Sequence, residues 1–228
     1  MNAPVLAVHH LSFAYPGKSS LFEDVDFQAK AGEAIAIVGR SGCGKSTLAH
    51  CCAGIIPRLI GGTLQGEVEL FGESVAVLPL SRISTRLGVV FQNPDTQLFF
   101  STVEDEVAFA PENLGCSPQE VRERIGQALQ MVGIEHLRHS HPHELSGGQK
   151  QLVALAAVLS LQPDILIFDE AVSQVDKAGK MLVFAAMNAL KEAGKTLLMI
   201  EHDLDNLALA DEIKVLRGGR LETFVGRL

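Results

Sequence analysis

Along the chain, short unbroken apolar runs alternate with stretches in which apolar residues recur every three or four positions. Residues 35–38 (IAIV), 87–91 (LGVVF), 164–168 (DILIF) and 196–200 (TLLMI) are runs of strand length. Runs of this kind, without a polar alternation, fit strands buried on both faces of a sheet. Residues 5–13 (VLAVHHLSF) read as another strand, followed by a turn at Tyr15-Pro16-Gly17-Lys18. FEDVDFQA at 22–29 alternates apolar and polar, so it predicts a half-exposed strand. With LQGEVELFG at 64–72 these segments predict a small antiparallel sheet beside the strand at 35–38. The tail EIKVLRGGRLETFV at 212–225 reads as two strands around Gly218-Gly219.

Helical patterning concentrates between the second and third of these apolar runs. Asn93-Pro94-Asp95 marks a loop, and Thr102–Asp105 and Ser117–Glu120 both read as helix starts. The second is a capping box with Pro118 at the first helical position. Val121, Ile125, Leu129 and Val132 give that helix one apolar face, and Glu120, Arg122, Glu123 and Arg124 a solvated one. Residues 93–160 are therefore expected as a helical insert, and a further helix at about 177–193. Strands alternating with helices predict an α/β fold with a mostly parallel core sheet, a small antiparallel β part and an inserted helical subdomain. The expected layout is one domain over 1–228, with a core of 1–92 and 161–228 and the helical part at 93–160.

Composition narrows the classes. A hydrophobic content of 47% in 228 residues supports a full core, and the net charge of −8 argues against a nucleic-acid partner, which favours a basic face. The four cysteines have no paired spacing and suit a reducing compartment; Cys51 and Cys52 read as packing residues. No signal peptide and no apolar run of about 18–20 residues is evident, so work at a membrane would require another chain to hold this one there.

The first chemistry follows the strand at 35–38. Gly39-Arg40-Ser41-Gly42-Cys43-Gly44-Lys45-Ser46-Thr47 has the form G-x-x-x-x-G-K-S between a strand and a helix. Successive amides and a helix N-terminus cradle the α- and β-phosphates of a nucleotide, Lys45 reaches the β- and γ-phosphates, and the Ser46 hydroxyl faces Mg²⁺. Oxidation of Cys43 inside the loop would hinder nucleotide entry. Three more buried strands end in polar groups, at Gln92, Asp169-Glu170 and His202. In an open parallel sheet these converge on one edge. Asp169 fits a Mg²⁺ carboxylate and Glu170 the base that polarises an attacking water. Leu145-Ser146-Gly147-Gly148-Gln149 is a second Gly-rich turn opening a helix. Two such starts on different lobes would engage one nucleotide only across two chains paired head to tail.

GRSGCGKST, LSGGQ, ILIFDE and the lone His202 resemble, in order, the Walker A, signature, Walker B and switch-histidine elements of ABC-type ATPases, over almost the whole chain. The resemblance implies an ATP-sandwich dimer in which Ser146, Gly147 and Gly148 of one chain, with Gln149, face the γ-phosphate held by the other. It implies that Tyr15 stacks on adenine, Gln92 touches Mg²⁺ and water, Asp176 crosses the dimer interface, and His202 holds the γ-phosphate and the water network. FQNPDTQLF at 91–99, TVEDEVAF at 102–109 and SPQEVRERIGQAL at 117–129 are similar to the energy-coupling factor (ECF) importer ATPases of the cobalt, nickel and vitamin uptake group.

The implied activity is ATP hydrolysis driving uptake of a vitamin or transition-metal ion. The alternatives are the ATPase of another ABC transporter class or a soluble ABC ATPase that does not serve transport. The implied partners are a second ATPase subunit (the same chain or a paralogue), a transmembrane coupling protein and a separate membrane substrate-binding subunit, at the cytoplasmic face of the membrane. Residues 92–115 would form much of the docking groove; Phe99, Phe100 and Phe109 read equally well as groove or as core of the helical lobe. The chain departs from the family at Leu152 (usually arginine), Val172 (threonine) and Val175 (leucine). It also ends soon after the last strands, where many ECF ATPases continue. His9 and His10 read as surface and core alternation, and His139, His141 and His143 as a loop before the signature, because no cysteine or acid completes a ligand set.

Overall fold

Two sheets with different logic frame the molecule in the computed structural model, which describes residues 3–203 and 206–224. The first is antiparallel, in the order β2 (Phe22–Ala29), β1 (Leu6–Ala14), β4 (Thr63–Leu70), β5 (Glu73–Ser74). The second has the order β10 (Arg220–Thr223), β9 (Glu212–Arg217), β3 (Ala34–Val38), β8 (Thr196–Glu201), β7 (Ile165–Asp169), β6 (Leu87–Val90). All its pairings are parallel except that of β10 with β9. The tail strand read to Val225 ends at Thr223, and Val225 lies outside the described residues.

The central strands are apolar throughout because both faces are covered. Ala34, Ala36 and Val38 of β3 point into one core and Ile35 and Ile37 into the other. β7 divides likewise, with Leu166 and Phe168 on one side and Ile165 and Ile167 on the other. The first core is closed by α3 (Val103–Asn113), α4 (Pro118–Met131), α5 (Gly147–Leu159) and α6 (Lys177–Glu192). The second lies under the antiparallel sheet and α1 (Lys45–Cys52), where Cys51 and Cys52 are buried; burial pushes the Cys51 thiol up to about 12. All four cysteines are free.

The helical insert follows its capping signals. Thr102 caps α3 by accepting from the Asp105 amide at 3.1 Å, and Ser117 and Glu120 form the reciprocal box that opens α4. The charged face of α4 is less solvated than its pattern suggests, since Arg124 donates to the Ser160 carbonyl at 3.2 Å. The short helix α2 (Leu80–Ser84) and strand β5 escape the sequence pattern, each being too short to show a period.

Alternation in β1 breaks at a bulge, where the register with β2 shifts between Val8 and Leu11. His10 and Asp24 adopt left-handed φ of 48° and 54° there. His10 Nδ1 sits 2.8 Å from Asp24 Oδ1 and 3.3 Å from Asp26 Oδ2, and the Asp24 hydrogen bond holds the imidazole above its ordinary pKa. His139 of the loop before Ser146 lies 3.3 Å from Glu104.

Candidate functional site

Strand register assembles the site. Val38 pairs with Glu201, Asp169 with Ile200 and Val90 with Phe168, so β3, β6, β7 and β8 end level with one another. The loop at 39–44, Glu170, His202 and Gln92 leave the sheet at that shared edge.

At the end of β3 the chain turns through the glycine loop into α1. Gly44 takes φ 109°, and a Cβ there would lie 3.0 Å from Leu21 Cγ, so both backbone shape and space call for glycine. The α1 N-terminus has no side-chain cap and no acidic residue in its first turn. Its amides are thus left for an external acceptor, which an anion supplies. Lys45 is buried, and its Nζ donates to the carbonyls of Gly39 at 3.0 Å and Arg40 at 3.3 Å. Arg40, Ser41 and Gly42 are exposed on the outer rim, while Cys43 is half buried, its sulfur 2.8 Å from where a Gly39 Cβ would stand. Tyr15 meets the same helix: its hydroxyl is 2.9 Å from Thr47 Oγ1, and its ring packs edge-on against Phe13.

Across from the loop, Ser46 Oγ donates to Asp169 Oδ1 at 2.7 Å. Asp169 is the last residue of β7 and is 6% exposed; burial pushes its carboxyl up, against the Ser46 hydrogen bond, which pulls it down. Hydroxyl and carboxylate oxygens side by side are the hard donors Mg²⁺ takes from protein, with phosphate and water completing its shell. The donor set therefore fits the ion. Glu170 follows at a left-handed φ of 51°, a conformation costing about 1–3 kcal/mol for a non-glycine residue, and its amide donates to the Ile200 carbonyl at 3.0 Å. That turn aims its carboxylate between Lys45 Nζ, 3.6 Å away, and His202 Nδ1, 3.4 Å away. Together with Gly39, Arg40 and Ser41, Glu170 and His202 line an open cleft of about 530 Å³. A separate cleft of about 610 Å³, mostly apolar, lies between β4 and the segment after α1, lined by Ile56, Arg58 and Val75 among others, with none of these polar groups.

Gln92 lies beyond β6, and its side-chain Nε2 donates to Ser173 Oγ at 3.1 Å, which ties the two strand-end loops together. Phe91 before it is held on both sides: the Gln97 carboxamide accepts its amide at 2.9 Å and Gln151 donates to its carbonyl at 2.9 Å. Gln151 is a buried residue of α5 that the sequence pattern hides within an apolar helix.

The 145–149 corner is built otherwise. Ser146 Oγ accepts the Gln149 amide at 3.3 Å, and Gln149 Oε1 accepts the Ser146 amide at 3.0 Å, a capping box that opens α5. Ser146 and Gly147 are exposed, and among the described residues no hydrogen bond joins 146–149 to 39–47. Gly148 is needed for packing, since a Cβ there would fall 2.4 Å from the Gly179 Cα on α6. Asp176 caps α6, accepting the Gly179 amide at 2.8 Å. Leu152 and Val172 are buried and Val175 half-buried, all against the helical core, so these departures are apolar residues in apolar positions.

A second surface stands out on the helical insert. Phe99 is 64% and Phe109 42% exposed, and with Phe100 they form a ring cluster with centroids 4.9–5.5 Å apart. The core reading of Phe99 and Phe109 does not hold, because both rings are exposed on the surface of the helical insert. Buried Glu106 fixes the patch, one carboxylate oxygen accepting the amides of Phe99 at 2.9 Å and Phe100 at 2.8 Å.

A phosphate loop and a strand-end acid pair at the edge of a parallel sheet, with a separate capped glycine corner, define a P-loop ATPase. The sequence profile of the ABC transporter family matches residues 22–173, and the chain belongs to that family. It is 41% identical to the energy-coupling factor transporter ATP-binding protein EcfA1 of Geobacillus kaustophilus, over 97% of this chain and 78% of that one. It is 42% identical to a putative ABC transporter ATP-binding protein of Pyrococcus abyssi, over 95% of this chain and 79% of that one. Among solved structures, it superposes on cbiO1 of Clostridium perfringens, described as part of the ABC transporter complex cbiONQ, with a TM-score of 0.86 and 32% identity over 96% of this chain and 87% of that one.

Proposed function

We propose that this chain is the ATP-hydrolysing subunit of an ECF-type importer and works as one half of a two-chain ATP sandwich. The observation that carries the reading is Glu170, aimed between Lys45 and His202 beside the Ser46–Asp169 pair. The loop amides and Lys45 bind the polyphosphate, and Tyr15 supports the adenine beside α1. Ser46 and Asp169, with Gln92, hold Mg²⁺, which when bound neutralises phosphate charge and fixes the polyphosphate in place. Glu170 orients and polarises the attacking water, and His202 steadies the terminal phosphate. Ser146, Gly147 and Gly148 of a second chain (another copy or a related ATPase), with Gln149 behind them, close the site from the far side, and Asp176 lies along that contact. Catalysis is then positioning and charge stabilisation.

The same reading places the chain on the cytoplasmic face of the membrane. Among the described residues no helix is long and apolar enough to cross a bilayer, so membrane chains must recruit it. The Phe99–Phe100–Phe109 patch is an exposed apolar surface suited to a transmembrane coupling protein, which in turn joins a subunit that binds the vitamin or metal ion. The test is Glu170→Gln. It keeps ATP affinity within twofold and lowers turnover by about 10²–10⁴, the range of a lost general base. Turnover near that of the wild type would remove Glu170 from the role.

A further inference from the structure

β8 runs one residue past its apolar stretch, to Glu201, and that residue is only 3% exposed. Its Oε2 accepts a hydrogen bond from Asn206 Nδ2 at 3.0 Å, and Asn206 is itself buried. The charged and titratable groups that act on it are His202, Glu170 and Lys180 of α6. Burial, the largest influence, pushes its carboxyl up to about 7. A buried acid is costly, and the strand-end position beside it in register is an ordinary valine, Val38. An aliphatic residue would serve the sheet at lower cost, so the carboxyl is there for something other than packing.

What it does follows from where its bond goes. The Glu201–Asn206 hydrogen bond links the residue before His202 to one four positions after it, so it braces the backbone that presents the histidine. His202 needs such a brace. Its side chain is 49% exposed, and its 3.4 Å approach to Glu170 is long for a hydrogen bond.

We propose that Glu201 is a positioning residue for His202: its bond to Asn206 fixes the end of β8, from which the imidazole faces Glu170 and the terminal phosphate. This rests on the roles given above to Glu170 and His202. ATPase kinetics of the full chain, purified with its membrane partners, test it through Glu201→Ala, Asn206→Leu, Glu201→Gln and His202→Ala. Glu201→Ala and Asn206→Leu lower kcat about tenfold, within what a small misplacement of a reacting group costs, and leave KM for ATP within twofold. Glu201→Gln, which still accepts from Asn206, keeps at least half of kcat. In the His202→Ala background, Glu201→Ala causes no further loss, because the residue it positions is gone.

The proposal is overturned by normal kcat in Glu201→Ala and Asn206→Leu, by a loss in Glu201→Gln as deep as in Glu201→Ala, or by losses that multiply with His202→Ala. A deficient His202→Ala beside a normal Glu201→Ala defeats this proposal alone. A fully active His202→Ala defeats the reading of the site and this proposal with it. Should Glu201→Ala fail to fold, Asn206→Leu and Glu201→Gln decide the matter between them.

Discussion

The two glycine-rich helix starts differ in how their amides are satisfied. At α1 no side chain caps the helix, the loop glycines hold the backbone open, and a buried lysine waits over it. At α5 Ser146 and Gln149 close a capping box, and the corner faces outward. The first leaves its amides open to an anion within one chain; the second satisfies its own amides and leaves Ser146 and Gly147 exposed. The difference teaches that affinity and turnover are separable here. Under the proposed two-chain reading, nucleotide binding belongs to a single chain, and hydrolysis waits for the corner of a second.

Lys45→Ala breaks the comparison from the binding side. Loss of a charge-assisted contact worth about 3 kcal/mol lowers ATP affinity about 100-fold, measured by equilibrium titration of the isolated chain. Ser146→Ala probes the other side. It removes a helix cap, costing about 1 kcal/mol of stability in thermal unfolding, and leaves the affinity of the single chain unchanged while turnover falls. Equal loss of affinity in both variants would dissolve the distinction.

Phe99→Ser with Phe109→Ser sharpens it further, because the patch belongs to neither start. Copurification with the membrane chains falls about tenfold, in line with losing two partly buried aromatic contacts, and ATP titration of the free chain is unchanged. Retained copurification would place the docking surface elsewhere.

A smaller effect separates stability from chemistry. The pKa of Glu201 is raised to about 7 in the fold, so the folded state favours the protonated acid. The favourable contribution is fully present below the unfolded value near 4.5 and is lost as pH rises through about 7. Between pH 5 and 8 the wild type loses stability on the order of 2 kcal/mol relative to Glu201→Gln, in parallel denaturant titrations. Identical pH dependence in the two proteins would contradict this.

Much of this was legible before any coordinates. Buried parallel strands announce themselves as unbroken apolar runs, and the polar residue that ends each one marks the ligand edge, which is why Gly39, Gln92, Asp169, Glu170 and His202 could be placed from the sequence. Residues whose role depends on tertiary contact were not legible. Glu201 reads as one more strand-end acid, and only burial against Asn206 distinguishes it. Gln151 hides in an apolar helix, and its hold on the Phe91 carbonyl crosses from α5 to the end of β6. Arg124 sits in a charge run that pattern assigns to solvent, yet it bonds the Ser160 carbonyl, and no pattern announces that Glu106 turns inward to accept two backbone amides. Phe99 and Phe109 are apolar residues whose exposure no sequence pattern decides, and only the fold shows them on the surface.

The central claim is that a second chain completes the site, and nucleotide-driven pairing tests it most directly. Light scattering of the Glu170→Gln chain, alone and mixed with any ATPase chain that copurifies with it, is compared with Mg-ATP and with Mg-ADP. The account predicts that ATP doubles the particle mass in at least one of these samples, that ADP does not, and that Ser146→Ala weakens the pairing. ATP bound at full occupancy on chains that stay single in every sample would contradict it.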